Sequence, residues 1–129
     1  FLGFNDIVEP MEGMIPASSA QVARFIDFVL TWDRARPMVV HCWAGISRST
    51  AGGYVAACAL MPEVDEARIA RALRSRSPSA TPNGRLVALA DGLLGRDGRM
   101  VAAIRAIGRG ADAFEGKPFT LPLEREAWE

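Results

Sequence analysis

The sequence holds one histidine, two cysteines and one tyrosine, and its formal net charge is zero. Each scarcity closes off a class of chemistry. With His41 as the only histidine and no cluster at metal-ligand spacing, a zinc site has no ligand set, and no metal or other cofactor is expected. Cys42 and Cys58 lie in different contexts. Cys58 sits in an Ala-rich stretch and reads as a buried core residue, so a disulfide is not expected and a reducing cytosol is the default compartment. A balanced charge leaves no electrostatic footprint for nucleic acid or an anionic membrane. The apolar run around Ala51 to Met61 is too short to cross a bilayer, and no signal-peptide pattern or internal repeat is visible. No Gly-rich nucleotide motif with its lysine occurs.

What is present is concentrated. The 129 residues are half hydrophobic, enough for one domain with a real core. The chain is organised around His41-Cys42-Trp43-Ala44-Gly45-Ile46-Ser47-Arg48-Ser49. Before it, Pro37-Met38-Val39-Val40 is short, apolar and β-branched, as a buried strand would be. After it, Ser49 to Met61 is rich in Ala and reads as a buried helix. A strand–loop–helix turn aims successive N–H groups and the positive helix end at one point, a cradle for phosphate oxygens.

The same field favours a thiolate, so Cys42 is expected to ionise near neutral pH. Gly45 can take a positive φ and let the backbone approach an anion. Trp43, Ala44, Ile46 and Ser47 complete the expected cradle. Arg48 offers a planar fork for two phosphoryl oxygens, and Ser49 a hydroxyl for the departing sulfur. Taken singly, each has a plain reading: a buried small hydrophobe, a turn glycine, a surface arginine. At Cys-x5-Arg-Ser between strand and helix, the combined reading is an anion site with a nucleophile.

His41-Cys42-x5-Arg48-Ser49 resembles the signature of the cysteine-dependent protein tyrosine phosphatases, and the short spacing elsewhere is similar to the dual-specificity type. Phe4-Asn5-Asp6 resembles the stretch carrying that family's general acid. Thr81-Pro82-Asn83-Gly84 resembles its Pro-Asn loop, which packs beside the active-site loop, so Asn83 is a supporting residue. The resemblance covers about residues 1 to 94. The family carries further strands before its acid loop, so the resemblance implies a chain lacking its opening strands.

In order, Phe1–Phe4 reads as a strand end and residues 5–16 as a loop. A helix capped by Ser18 or Ser19 is predicted to run to about Arg34, with Val22, Phe25, Ile26, Val29 and Leu30 inward. Further helices are predicted at about 66–74, from Asn83 through Leu94, and at about 99–107. The pattern predicts an α/β fold: a central sheet flanked by helices, with a catalytic domain over residues 1–110. Residues 111–129 form a tail pinned by Phe119, Leu121 or Trp128.

A two-step phosphoryl transfer needs a proton donor and then a base. Asp6 follows an apolar stretch and opens a loop, so it is the expected acid, with Glu9 or Glu12 in reserve and an ordinary turn as its plain reading. Asp27 and Asp33 read as solvated. His41 precedes Cys42 on a strand, so its side chain faces away and is expected to hydrogen-bond behind the loop. Trp43 either lines the pocket mouth or packs under the loop. A neutral loop fits a monophosphorylated substrate such as a phosphotyrosine side chain or a small phosphomonoester. Arg68, Arg71 and Arg74 share a helix face, either rimming the site or solvated. The expected function is a phosphomonoester hydrolase. A phosphoprotein-binding pseudophosphatase and a rhodanese-type sulfurtransferase are the alternatives.

Overall fold

A computed structural model describes residues 1–123, which place the expected Trp128 contact outside the described part. Five helices appear in it: α1 (Ser19–Leu30), α2 (Arg48–Leu60), α3 (Glu66–Arg76), α4 (Gly84–Leu94) and α5 (Arg99–Ile107). Their limits follow from local chemistry. Ser18 closes a capping box: its hydroxyl accepts the Gln21 N–H at 3.1 Å, and the Gln21 side-chain oxygen accepts the Ser18 N–H at 3.0 Å. Asp65 accepts the Ala67 N–H to start α3, and Asn83 accepts the Leu86 N–H to start α4. Gly95, with φ 66°, ends α4, and Gly98, with φ 83°, precedes α5.

Helix α1 stops at Leu30, four residues short of the sequence expectation. The Thr31 hydroxyl donates to the Phe28 carbonyl, Asp33 accepts the Ala35 N–H, and Arg34 takes a φ of 62°. These local bonds offer the backbone a turn in place of another helical one.

Helix α2 packs against α1, α3 and α4, while α5 packs on α3 and α4. Tyr54 and Cys58 of α2 are fully buried with Ile69 and Leu73 of α3, Val87 of α4 and Met100 of α5. Among the described residues three charged side chains lie inside, Glu66, Arg96 and Asp91. Glu66 pairs with Arg96 at 3.1 Å and Arg99 at 3.2 Å, Arg96 also donates to the Cys58 carbonyl at 2.8 Å, and Asp91 accepts the N–H groups of Gly98 and Met100, each at 2.8 Å. A buried carboxylate survives only with such partners.

No strand occurs among the described residues, and this overturns the expected α/β fold with a central sheet flanked by helices. Residues 37–42 run without helix, but no backbone hydrogen bond joins them to another segment among the described residues. A β-branched pair, Val39-Val40, favours extended backbone; a strand also needs a neighbour for its N–H and C=O groups. Nor is the segment buried, since Val39 is 81% exposed. Val40 instead lies across α2, where a Cβ on Gly52 would stand 3.0 Å from it. This contact sets the approach of the chain into the Cys42 loop. The expected strand–loop–helix is therefore an irregular segment, the loop and α2.

Candidate active site

The loop from Cys42 to Ser47 is shaped by what its carbonyls bind. The Ile46 carbonyl accepts the Thr81 N–H at 2.8 Å and the Thr50 hydroxyl at 2.6 Å. The Ser47 carbonyl accepts the N–H groups of Asn83 at 3.1 Å and Ala51 at 3.0 Å, and the Ala44 carbonyl accepts the Gly116 N–H at 2.7 Å. All peptides here are trans, so each carbonyl drawn outward turns the following N–H the other way. The Gly45 N–H shows the result: it donates to Cys42 Sγ at 3.3 Å. Gly45 takes a φ of 72°, a conformation that side chains beyond glycine adopt at a cost.

Cys42 is half-buried, with Ser49 Oγ 3.3 Å from its sulfur. Burial pushes its thiol up. Bonds from the Ser49 hydroxyl and from the N–H groups of Ser49, Gly45 and Ala44 outweigh that and hold it below the ordinary thiol value. Cys58 shows the contrast: burial raises it to about 12, with Tyr54 and Arg96 only partly offsetting.

Arg48 opens α2 and folds back along the loop. Its Nη1 donates to the Phe4 carbonyl at 3.0 Å, which anchors the guanidinium by one corner. Its Nε is buried and has no hydrogen-bond partner. Nε and Nη2 share the edge that a guanidinium presents to a two-oxygen acceptor, and Nη1 lies away from that edge. A buried charged donor without an acceptor is costly, and no protein atom accepts from Nε here.

Asp6 lies against the loop. Its Oδ1 accepts from the Ser47 hydroxyl at 2.8 Å and from Asn83 Nδ2 at 2.7 Å, and Asn83 Nδ2 also reaches the Ile7 carbonyl at 3.2 Å. Asn83 thus does two jobs, since its Oδ1 caps α4. Ser47 leaves α2 without a side-chain cap, and its hydroxyl ties the loop to Asp6. Glu9 and Glu12 are exposed and make none of these bonds.

A groove of about 670 Å³ opens beside the sulfur. It is lined by Phe4, Phe25, Met38, Trp43, Arg48 and Ser49, with Arg24 and His41 on its wall. The charged and titratable groups around Cys42 are therefore Arg48, Arg24, His41 and, across Ser47, Asp6. Trp43 is 94% exposed at this groove and does not pack under the loop, where buried Thr50 takes the space. His41 is exposed and makes no hydrogen bond behind the loop among the described residues. With no strand to alternate its side chains, the two-sided placement of His41 and Cys42 has no basis.

Arg74 meets neither expectation. It donates to the carbonyls of Ser77, Pro78, Ala80 and Gly108, so it organises the loop before α4 from within. Sequence reasoning missed three contributors to the site: the Phe4 carbonyl, the Thr50 hydroxyl and the Gly116 N–H. Thr50 adjoins the motif and was within reach of a helix-start reading. The other two act through backbone atoms, which leave no mark on residue type. Among the described residues, no group of three His, Cys, Asp or Glu could hold a metal, and no helix is long and apolar enough to cross a membrane.

A family model described as protein-tyrosine phosphatase matches residues 10–82, a span that contains Cys42, Arg48 and Thr81 and stops one residue before Asn83. No curated protein and no solved structure matches the chain.

Proposed function

The chain belongs to the protein-tyrosine phosphatase family, and from that premise we propose that it hydrolyses phosphomonoesters through a cysteinyl-phosphate intermediate, with protein phosphotyrosine as substrate and phosphoserine or phosphothreonine admitted in the dual-specificity manner. The observation that carries the proposal is the buried, unpartnered Arg48 Nε on the loop that also holds a stabilised Cys42 sulfur. An anion and a nucleophile are provided for together.

In the first step the Cys42 thiolate attacks phosphorus and an S–P bond forms. The P–O bond to the leaving group breaks, and Asp6, entering as the carboxylic acid, gives that oxygen its proton. Asp6 Oδ1 is already occupied by Ser47 and Asn83, so the proton sits on Oδ2. Loop N–H groups and the Nε–Nη2 edge of Arg48 hold the equatorial oxygens as charge spreads over them. In the second step water attacks phosphorus, Asp6 takes its proton, and the S–P bond breaks. Ser49 donates to the departing thiolate from 3.3 Å, and inorganic phosphate leaves.

Hydrolysis of p-nitrophenyl phosphate by the full chain, abolished in Cys42→Ser, tests the proposal. Turnover of thiosulfate without turnover of aryl phosphate, or phosphopeptide binding without turnover of either, would replace it.

A further inference from the structure

The family match ends at residue 82, yet the loop around Cys42 is bonded to a residue far beyond it. After α5 the tail turns back along the loop before α4. The Gly110 N–H donates to Thr81 Oγ1 at 3.0 Å and the Ala111 N–H to the Pro78 carbonyl at 2.9 Å. The chain then reaches Gly116, whose N–H donates to the Ala44 carbonyl at 2.7 Å. Beyond it, Arg76 holds the Thr120 carbonyl at 3.0 Å, and Phe119 and Leu121 pack on the core. The tail is thus fastened on both sides of its contact with the loop.

The Ala44 carbonyl and the Gly45 N–H belong to one peptide unit. Its oxygen end is held by Gly116, and its N–H end donates to Cys42 Sγ. A planar trans peptide transmits orientation between its ends without loss. Hydrogen bonds in series also polarise one another, so a donor on the carbonyl strengthens what the N–H gives. Only glycine fits at 116, because a Cβ there would overlap the Gly45 carbonyl oxygen and crowd its carbon at 3.1 Å.

We infer that Gly116 is a positioning residue for the nucleophile: its N–H orients and polarises the Ala44–Gly45 peptide that holds the Cys42 sulfur. The inference rests on Cys42 being the nucleophile of the proposed hydrolysis. It adds that the tail, outside the family match, is part of the working site.

The test uses the full chain and Gly116→Ala, with Gly92→Ala as control, since a Cβ on Gly92 meets nothing within 4 Å. Cys42 alkylation by iodoacetamide is followed against pH by mass spectrometry, beside kcat/KM for p-nitrophenyl phosphate. Gly116→Ala should move the alkylation midpoint up toward an ordinary thiol. It should lower kcat/KM by about tenfold or more, with the same shift in the limb of the pH profile that reports the thiol. Gly92→Ala should move neither. A folded Gly116→Ala protein with an unchanged midpoint would overturn the inference, even if its melting temperature had dropped.

Should the variant not fold, amide exchange on the wild-type chain decides. A Gly116 N–H that exchanges slowly, and more slowly with vanadate bound, supports the inference; exchange at the rate of a free amide refutes it. A wild-type chain inert toward aryl phosphates would count against the hydrolase proposal alone, since the alkylation midpoint and the exchange rate need no turnover.

Discussion

Replacing Arg48 by lysine separates phosphate chemistry from a merely reactive cysteine. The guanidinium is committed at one corner, where Nη1 donates to the Phe4 carbonyl at 3.0 Å. Its buried Nε has no partner and so is free for a ligand oxygen, with Nη2 beside it on the same edge. A lysine keeps the charge, but one ammonium cannot replace both the anchor and the two-pronged edge. If it stays on Phe4, the phosphoryl oxygens lose both bonds. If it swings to the anion, one bond survives and the anchor goes. Loss of one preorganised donor that tightens in the transition state costs about 10²-fold, on the order of 3 kcal/mol, so Arg48→Lys should lower kcat/KM on aryl phosphates by at least that factor. Arg48→Ala should also weaken vanadate binding, while alkylation of Cys42 by a neutral reagent persists because the Gly45 N–H and Ser49 hydroxyl remain. Steady-state kinetics with p-nitrophenyl phosphate and vanadate inhibition supply both numbers, with thermal unfolding to confirm that the variants fold. Near-wild-type kcat/KM in Arg48→Lys would refute the bidentate role.

Other perturbations reach other parts of the structure. Cys42 should alkylate with a midpoint below that of a free thiol while Cys58, buried and raised to about 12, labels only on unfolding; equal labelling of the two in the native chain would remove the case for an activated thiolate. Asp6→Asn should lower kcat by about 10²–10⁴ for poor leaving groups and much less for leaving groups that need no proton; an equal loss for both would make Asp6 a structural tie to Ser47 and Asn83. For Glu66, burial raises the carboxyl, but its own backbone N–H and then Arg96 and Arg99 more than offset this, leaving it below the ordinary value. A depressed folded pKa gives stability that is present above the unfolded carboxyl value and is lost as pH falls through the folded one. Glu66→Gln leaves the buried Arg96 without its carboxylate and should cost about 3–5 kcal/mol at neutral pH. The gap to wild type should narrow as the wild-type carboxyl protonates in acid, as denaturant melts across pH would reveal. A gap that stays constant with pH would assign the loss to packing.

The legible part of this protein was the part written in side chains. Ser18, Asp65 and Asn83 mark helix starts through oxygens that accept N–H groups, and α1, α3 and α4 begin directly after them, at or within a residue of the expected positions. Cys42 and Ser49 come together as their spacing implied, because a loop feeding a helix start brings a residue back over its own beginning. The central sheet expected from the sequence is absent among the described residues. Pro37–Val40 has the apolar, β-branched character of a strand, but pairing depends on a partner that residue type does not specify. The backbone donors and acceptors of Phe4, Thr81 and Gly116 were equally silent, since every residue but proline carries the same two groups.

The grip of Arg74 has a bearing on which substitutions the chain can absorb. Its four bonds end on main-chain oxygens of residues 77, 78, 80 and 108, and Thr81, next in line, holds the Ile46 carbonyl of the Cys42 loop. A side chain that clasps backbone is indifferent to what its targets are, within the limits of space. Exposed Pro78 can change without losing its acceptor, and buried Ser77 and Ala80 can change to residues of similar size. Arg74 has no such latitude: a replacement without a donor deletes all four bonds at once, and lysine, with a single nitrogen, cannot span carbonyls that lie on both the loop and the end of α5. Variation in this region should therefore gather in the loop and spare the arginine beneath it.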